Sequence, residues 1–469
     1  MNILIRFCEN RSFIRIIRFA LLAFMGVMLS NCERALEPEF PDFLLSNEAV
    51  FEDASTIEAA MAAIYAGLRD NSPVMGGTNG MSVRLGLYSD ELQYYSDSSV
   101  NDNAFFNHSV LPNNNAVFDF WNNSYVLIFN VNAMIEGLEN SPLPDADKES
   151  FLGEALFLRA YLHFYLAQFF GDIPYIQTTD YTLNASVSRM PLTEIYEKMR
   201  HDLTEAKALL TDVDNSGERL RVTKGAASAF LARLYLYSEQ WEKAFDESNS
   251  VINSGIYVWQ SKLNDVFLKE STCTIWQLKP ELDGYPTKEG QTFIFDFGPP
   301  PLYALTSEFM MDFEEGDMRK DAWTRKISNG TETWFHSYKY KQNMYGISSS
   351  EYSILFRLAE QYLIRAEASL HIGNVQEAKE DLNTIRHRAG LLPTVANSPE
   401  DLLKELMHQR RYELFTEQGH RWLDLKRSGL ASEVLRPIKI GWKETDIYLP
   451  LPQKELLLNP NLNPQNPGY

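Results

Sequence analysis

Two stretches of this chain repeat one helical pattern: residues 232–244 read ARLYLYSEQWEKA, and residues 366–378 read AEASLHIGNVQEA. The two stretches align without a gap, and each predicts a helix, a short turn and a second helix. An alanine early in each second helix, Ala244 or Ala378, allows the two helices to approach closely. The pattern therefore predicts helical hairpins of the tetratricopeptide type, which stack side by side into a superhelix.

Two further helix pairs are predicted N-terminal to these hairpins. Residues 154–170 and 192–210 form one pair, and the first of these segments is apolar on nearly its whole circumference, so it must lie between neighbours. Residues 47–70 and 117–139 form the other pair, interrupted by a long polar insertion. The expected fold class is mostly α, an α-α superhelix of four tetratricopeptide-like helix pairs with inserted loops and a small amount of β-structure.

Two segments inserted between the helices differ from them in composition. Residues 71–116 contain several glycines and an asparagine run, and predict loops. Residues 256–350 are rich in aromatic and β-forming residues, and they contain Asn329-Gly330, which is typical of a two-residue hairpin turn. A hairpin closed by that turn would pair position 323 with position 336 and position 325 with position 334. Alternation would then place four side chains on one face of the ribbon: Trp323, Arg325, Trp334 and His336.

The beginning of the chain predicts export. Arginines precede an apolar run, Phe19–Leu29, that has the length of a signal-peptide core and is too short to span a bilayer. The residues Leu29-Ser30-Asn31-Cys32 then resemble a lipobox, in which the cysteine is acylated and becomes the new N-terminus. We expect residues 1–31 to be a lipoprotein signal peptide and Cys32 to carry a lipid anchor. An ordinary signal peptide followed by an incidental cysteine is the alternative.

Composition indicates an exported protein that is stabilised by packing. The formal net charge of −20 at pH 7 repels nucleic acid and anionic lipid, which argues against a nucleic-acid partner. Of the three cysteines, Cys8 would leave with the signal peptide and Cys32 would be acylated. Cys273 alone remains, so we expect no intrachain disulfide.

Four blocks of the mature chain, taken together, resemble the SusD/RagB family. The blocks are Phe151–Tyr161 with Phe170–Pro174, Arg357–Gly390, Arg410–Arg427 and the ending Gln465–Tyr469. They occur in the family's order and extend over nearly the whole mature chain. Two positions depart from the family pattern, because Gln409 stands where glutamate is usual and Gln418 replaces a frequent aromatic residue.

The resemblance divides the chain into a signal peptide, residues 1–31, and one SusD/RagB-like domain, residues 32–469. The parts expected within that domain are a helical scaffold at about 45–255 and 351–390, loop and β insertions at 71–116 and 256–350, and a C-terminal family segment at 391–469. The family's fold implies that the insertions form the ligand surface on the helical platform.

The resemblance also implies a function. Family members are lipoproteins on the outer-membrane surface of Gram-negative bacteria, and they are not enzymes. They cover a TonB-dependent (SusC-like) transporter, capture an oligosaccharide or in some cases a peptide, and pass it into the transporter. We expect this role here, without a cofactor and with a glycan favoured over a peptide. A protein-interaction or adhesion module that binds no small ligand is the alternative, and a surface hydrolase is a third hypothesis.

The residues themselves favour a binding protein over an enzyme. The eight histidines show no paired metal-binding spacing, and the chain lacks a Gly-x-Ser-x-Gly elbow and a phosphate loop. Four clustered carboxylates, Asp312, Glu314, Glu315 and Asp317, lack the alternating spacing of a calcium loop. Charged residues between Arg410 and Asp424 have helical spacings of three and four, so we expect them to pair as salt bridges on neighbouring turns.

Aromatic residues in the two insertions are the expected ligand contacts, because a flat amphipathic ring packs well against the apolar face of a sugar. Trp323 and Trp334 are candidates, since the predicted hairpin places them beside Arg325. A polar loop in the first insertion offers no obvious core role for its aromatic residues. The candidates there are Tyr94, Tyr95, Asn101 and Phe106.

Overall fold

The computed structural model describes residues 47–214 and 216–469. The expected signal peptide and Cys32 lie outside these described residues. Residues up to Val50 and residues from Phe51 onward separate into two units, of which the second contains nearly all of the described chain. Within the described residues, no helix combines the length and the apolar character that crossing a membrane requires.

Helices dominate the described chain and short strands interrupt them. The α-helices are α1 (Asn47–Val50), α2 (Ala54–Asn71), α3 (Met81–Tyr88), α4 (Val100–Phe106), α5 (Asn115–Glu139), α6 (Asp145–Phe170), α7 (Tyr181–Asn184), α8 (Leu192–Leu209), α9 (Lys224–Tyr237), α10 (Trp241–Ile252), α11 (Lys288–Phe293), α12 (Ser307–Met311), α13 (Arg319–Trp323), α14 (Leu358–His371), α15 (Val375–Arg388), α16 (Pro399–Leu414), α17 (His420–Arg427), α18 (Ala431–Leu435) and α19 (Gln453–Leu458). Short 3-10 turns occur at Leu263–Asp265, Glu444–Ile447 and Pro460–Leu462. The strands are β1 (Leu92–Tyr94), β2 (Thr274–Leu278), β3 (Tyr303–Leu305), β4 (Thr324–Ser328), β5 (Thr333–Ser337) and β6 (Ser353–Arg357).

Eight of the helices from Phe51 onward pack as four pairs. These pairs are α2 with α5, α6 with α8, α9 with α10, and α14 with α15. Successive pairs also contact each other, because α5 packs on α6, α8 on α9, and α10 on α14. The expected fold class is confirmed: the chain is mostly α, with four tetratricopeptide-like helix pairs, inserted segments and little β-structure.

The two repeated hairpins share their turn geometry. Gly373 has a φ of +86°, and Glu239, which occupies the aligned position, has a φ of +56°. Both turns thus need one residue in the left-handed region, which glycine adopts without strain. Ala244 and Ala378 are both buried in the contact between their two helices. The small side chains therefore allow the close helix approach that the repeat predicts.

Two antiparallel sheets complete the fold. β2 pairs with β6, and the other sheet has the strand order β1-β3-β5-β4, which joins the first insertion to the second. Leu92 faces Leu305, and Leu305 faces Phe335. These three side chains pack against the main core. Alternation turns the neighbouring positions, among them Ala304 and Trp334, to the outer side of the sheet.

The first insertion contains more regular structure than expected. The prediction of loops for residues 71–116 is wrong in part, because α3, β1 and α4 lie there and all eight residues of α3 are buried. α3 packs against α17, where a side chain at Gly419 would collide with Leu85. The contact that orders α3 thus comes from a distant segment, and the local sequence pattern carries no sign of it.

The predicted hairpin of the second insertion forms, but its register is shifted by two residues. Four residues, not two, connect β4 to β5, so that Arg325 faces His336 and Ile327 faces Trp334. The side-chain oxygen of Asn329 accepts hydrogen bonds from the backbone N–H groups of Thr331 and Glu332, which closes this longer loop. A shift of two residues preserves the alternation, so Arg325, Trp334 and His336 do share one face.

Charged residues between 410 and 424 pair across elements. Glu413 forms ion pairs with Arg357 and Arg388, and Arg410 pairs with Asp424 at 2.8 Å. The expectation of salt bridges is thus confirmed, whereas the expectation that they join neighbouring turns of one helix is wrong for these pairs and holds for Asp424 with Arg427 at 2.8 Å. The partners lie on β6, α15, α16 and α17, so the ion pairs attach the C-terminal segment to the superhelix.

Candidate functional site

The outer side of the four-stranded sheet brings together side chains from both insertions. We name this surface the sheet face, and its residues are Tyr95, Asp296, Phe297, Arg325, Trp334 and His336. Tyr95 follows β1 directly, and its backbone N–H donates to the carbonyl oxygen of Leu302 at 2.8 Å, which extends the pairing with the segment before β3. The strand order β1-β3-β5-β4 then places β5, with Trp334, on the other side of β3.

Trp334 forms the base of the sheet face. Its side chain is only 6% exposed and packs in a small cluster with Phe295, Ala304 and Ile327. Gly298 lies against the indole ring, where an added Cβ would come within 1.9 Å of a ring carbon. Trp334 therefore supports the 295–298 segment, and the expectation that its ring is open to a sugar is wrong, because Phe295, Ala304 and Gly298 cover it.

Two aromatic residues in the segments that adjoin this base are exposed. Tyr95 is 42% exposed and Phe297 is 83% exposed. Burial is the main cause that raises the pKa of Tyr95, and the carboxylates of Glu332 and Glu308 add to it, while a hydrogen bond from Trp334 opposes the rise. The phenol is therefore protonated at physiological pH. It can donate a hydrogen bond, and the two exposed rings can pack against the apolar face of a sugar.

Phe297 is a residue that the sequence reasoning missed. It lies directly before Gly298-Pro299-Pro300, a loop signal that separates it from any strand or helix pattern. A large aromatic residue in such a loop belongs to no strand or helix that would turn it towards the core. Its place in the loop is therefore the sequence feature that could have identified Phe297 as an exposed ring.

Polar groups flank the aromatic rings. A guanidinium nitrogen of Arg325 lies 4.0 Å from a carboxylate oxygen of Asp296, and the guanidinium carbon lies 5.3 Å from the centre of the Tyr338 ring. Burial is the main cause that lowers the pKa of His336, so its imidazole is neutral at pH 7. Its Nδ1 lies 2.9 Å from the carbonyl oxygen of Ser337 and donates to it as the neutral tautomer. Its Nε2 then remains a buried acceptor without a partner in the described residues.

Trp323 lies in the core, and the prediction of an exposed ring at this position is wrong. It ends α13 before β4 begins, its side chain is fully buried, and its indole N–H donates to the carbonyl oxygen of Leu263 at 3.0 Å. The ring of Phe267 packs edge-on against it. The physical reason is the helical turn of α13, which rotates residue 323 out of the ribbon's alternation and into the core.

The remaining candidates of the first insertion lie apart from the exposed rings. Tyr94 is buried on the inner side of the sheet, where its hydroxyl oxygen accepts a hydrogen bond from the N–H of Ser99 at 2.9 Å. Phe106 packs against the main core with the ammonium group of Lys439 4.2 Å from its ring centre. The expectation that both rings project from a polar loop is therefore wrong. Asn101, half-buried on α4, stays a predicted ligand contact.

Two concavities elsewhere are chemically less suited to a ligand rich in hydroxyl groups. One is an apolar groove of about 580 Å³, whose lining includes Trp121, Tyr125, Phe129 and Leu458. Two amide side chains at its wall, Asn184 and Asn459, already donate to the backbone carbonyls of Thr178 and Val187. The other is a cavity of about 190 Å³ beside Tyr285. Its cations Arg69 and Lys288 are both paired with Asp70.

Acidic residues with a conceivable metal role are paired with arginines. Asp312 pairs with Arg411, Glu314 with Arg386, and Asp317 with Arg319. Over residues 47–214 and 216–469, no group of three or more histidine, cysteine, aspartate or glutamate side chains is arranged to hold a metal ion. What the sheet face offers chemically is ring stacking and hydrogen bonding.

Comparison with known proteins yields two family models that cover most of the chain. A model described as "Starch-binding associating with outer membrane" matches residues 51–236, and the model of the SusD family matches residues 282–443. A curated relative, SusD-like protein P38 of Formosa agariphila, is 25% identical over 97% of this chain and 98% of its own length.

Solved structures of similar proteins share the fold. A SusD superfamily protein from Parabacteroides distasonis is 25% identical, with a TM-score of 0.75 over 88% of this chain and 99% of its own. Surface glycan-binding protein A from Bacteroides thetaiotaomicron, solved in complex with laminarihexaose, is 21% identical. Its TM-score is 0.74 over 88% of this chain and 99% of that protein, which shows a common architecture.

Proposed function

Because this chain belongs to the SusD/RagB family, we propose that it is a cell-surface lipoprotein that captures an oligosaccharide for nutrient uptake. In this proposal the sheet face holds the oligosaccharide, which then passes to a TonB-dependent (SusC-like) transporter in the outer membrane. The protein binds its substrate and does not transform it.

One observation carries the binding step: the exposed Tyr95 contacts Trp334, which shares a side of the sheet with Arg325, and the exposed Phe297 directly follows Asp296, the partner of Arg325. A sugar ring has apolar C–H faces and a polar rim, so it needs flat rings beside groups that donate and accept hydrogen bonds. The half-exposed Arg325 and Asp296 supply these groups in positions that solvent and ligand can reach. Two exposed stacking contacts are consistent with a modest affinity, because each contributes about 0.5–1.5 kcal/mol.

The comparisons support a glycan as the ligand. The Bacteroides thetaiotaomicron protein with the same fold is described as a surface glycan-binding protein, and its structure was solved in complex with laminarihexaose. A family model that matches residues 51–236 is described as "Starch-binding associating with outer membrane". Both favour a carbohydrate over a peptide.

The anchor and the transporter partner are proposed from the N-terminal motif and from family membership. Acylation of Cys32 would attach the chain to the outer membrane, and the charge of −20 keeps the protein away from anionic lipid surfaces.

A binding screen tests the ligand. The purified mature chain is applied to arrays of oligosaccharides and peptides, and bound ligands are then titrated by calorimetry. We expect binding to oligosaccharides and a weaker interaction in the Phe297→Ala variant. Binding to peptides alone would replace the proposal by a peptide-binding role. Binding to neither class, together with a retained protein partner, would favour an interaction module.

Isolation of the protein from outer membranes tests the transporter. A tag at the C-terminus of the lipidated protein should recover a large β-barrel transporter in near-equal amount after mild solubilisation. The Phe297→Ala variant serves as a control, because it should bind the ligand more weakly and keep the transporter. Reproducible recovery of the protein alone would contradict the delivery step.

A further inference from the structure

We infer that the oligosaccharide is uncharged: the sheet face selects neutral glycans over glycans that carry uronate carboxylates or sulfate esters. The inference rests on the proposed function and adds the charge class of its ligand. Its basis is the set of charged side chains on and beside the sheet face.

The cation of the sheet face is already paired. Arg325 and Asp296 lie 4.0 Å apart, and their side chains are 47% and 54% exposed. An anionic ligand at Arg325 would meet the carboxylate of Asp296 as well as the guanidinium group. Proteins that recognise carboxylate or sulfate groups usually present an arginine fork that is free to form two parallel hydrogen bonds. Here the guanidinium group is shared with Asp296 and with the Tyr338 ring.

Two more carboxylates act on the exposed tyrosine. Glu308 and Glu332 are both exposed, and both place negative potential on the hydroxyl of Tyr95. A sugar stacked on Tyr95 would lie in the same potential. Added salt should weaken this repulsion, because the screening length falls from about 8 Å at 0.15 M to about 3 Å at 1 M ionic strength.

Neighbouring basic residues do not offset the negative charge of these carboxylates. Lys326 of β4 is exposed, but alternation along the strand turns it to the side opposite Arg325. His336 faces Arg325, Asp296 and the ring of Phe295, and its imidazole is neutral at pH 7. The charged groups that act on Tyr95 or pair on the sheet face are therefore Arg325, Asp296 and, beside the face, Glu308 and Glu332.

The remaining exposed groups fit an uncharged sugar. The phenol of Tyr95 can donate a hydrogen bond to a hydroxyl, and Phe297 offers an exposed apolar ring. A negatively charged sugar would lose hydration on such a surface without gaining an unpaired cation, which is unfavourable.

The electrostatic field of the whole chain also disfavours anionic glycans. The whole chain carries a formal charge of −20 at pH 7. Repulsion by the summed charge lowers the rate at which anionic polysaccharides reach the surface, and this effect weakens as salt is added. Local and long-range repulsion are separable, because only the local part depends on particular carboxylates.

Affinity measurements on matched glycans test the inference. For a neutral oligosaccharide that binds, the C6-oxidised form and the sulfated form are titrated at 0.15 M and at 1 M sodium chloride. We expect each anionic form to bind about tenfold more weakly at the lower salt concentration, with a smaller difference at the higher one. An anionic form that binds as tightly as its neutral parent, or more tightly, would overturn the inference and leave glycan capture intact. Failure of all glycans to bind would instead overturn the proposed function.

Variants locate the effect. Glu308→Gln combined with Glu332→Gln should raise the ratio of anionic to neutral affinity several-fold. Glu149→Gln combined with Glu242→Gln is the matched control, since it removes the same charge at two exposed positions on the helical scaffold. That control should leave the ratio close to its original value. An equal change in both double variants would overturn the local origin of the selectivity.

Discussion

Tyr94 of β1 and Tyr303 of β3 face each other across the sheet with their ring centroids 6.0 Å apart. One residue comes from the first insertion and the other from the second. The hydroxyl of Tyr303 donates to Asp102 at 2.8 Å, and Asp102 forms a buried ion pair with Arg84. This inner network attaches α3 and α4 to the sheet, and it holds the outer side with Tyr95 in place.

Phe297→Ala should weaken glycan binding with little effect on folding. The ring is 83% exposed, so its removal costs few packing contacts. Loss of one stacking contact corresponds to about 0.5–1.5 kcal/mol, or roughly a 2- to 12-fold rise in the dissociation constant. Calorimetry measures the affinity, and thermal unfolding measures the stability. Phe129→Ala is the matched control, because Phe129 is also an exposed phenylalanine but lies in the apolar groove. An equal loss of affinity in both variants would contradict the assignment of Phe297.

Trp323→Ala should destabilise the protein strongly. The side chain is fully buried, and substitution of a buried tryptophan by alanine typically costs about 3–5 kcal/mol. The indole N–H bond to Leu263 is lost as well. Urea denaturation followed by circular dichroism measures the loss, and Trp323→Phe should recover part of it by filling the cavity. A near-normal stability of the alanine variant would show that residue 323 is not part of the core.

Stability should fall in acid because of Glu413. Burial by itself raises the pKa of this side chain, but Arg388, Arg357 and Arg319 outweigh burial and hold the pKa well below its ordinary value of 4.5. The carboxylate of Glu413 therefore binds a proton more weakly in the folded state than in the unfolded state. The resulting stability is present above about pH 4.5 and is lost as the pH falls below it.

Denaturation midpoints between pH 7 and pH 3 test this dependence. Glu413→Gln should lower the stability at pH 7 by about 3–5 kcal/mol, because it leaves buried guanidinium groups unpaired, and it should flatten the decline in acid. Glu149→Gln, at an exposed position, is the control and should change neither property. If the stability of the Glu413→Gln variant falls in acid as much as that of the original protein, other carboxylates must cause the decline.

Glu91 should produce the opposite pH dependence. Burial, and then the neighbouring Asp90, raise the pKa of Glu91 to about 8, and its Oε1 atom has no partner in the described residues. The folded state thus holds this proton more tightly than the unfolded state does. Stability from this group is present below about pH 4.5 and is lost as the pH rises towards about 8.

The Glu91→Gln variant tests this prediction, because glutamine mimics the protonated side chain in shape and charge. The variant should be more stable than the original protein at pH 8, and the two should differ less at pH 5. Urea denaturation at both pH values measures the difference. A variant that is less stable at pH 8 would show that the Glu91 carboxylate is ionised and compensated in the folded protein.

Cys32→Ala should abolish metabolic labelling by a fatty-acid analogue in cells that export the protein. Cys273→Ala is the matched control and should keep the label, because the thiol of Cys273 is buried in the folded protein. Continued labelling of the Cys32→Ala variant would refute the proposed anchor.

The helical frame could be predicted because its determinants are local. The apolar period of residues 154–170 and 192–210 is present in the sequence, and the structure places helices at 145–170 and 192–209. Ala244 and Ala378 mark the close contacts of the two repeated hairpins, and both are buried. Such features depend on residues a few positions apart, so the chain specifies them without reference to its other parts.

The candidate site could be predicted only in part. Side-chain alternation in a ribbon survives a shift of two residues, so the common face of Arg325, Trp334 and His336 was accessible to sequence reasoning. The register of the two strands could not be predicted, because the loop at Asn329 contains two more residues than its Asn-Gly dipeptide suggests. The exposure of each ring was not accessible either, since it depends on segments that lie far away in the sequence.

The sequence alone determined a stack of helix pairs, an interrupting aromatic segment and an acidic surface, because period, composition and charge are properties of neighbouring residues. Only the tertiary structure decided that Trp323 is buried, that Phe297 is exposed and that Tyr95 lies on the same sheet as Trp334. The physical reason is that burial depends on which distant segments pack together. Here the pairing of β1 with β3 and the turn of α13 decide which rings are open to solvent.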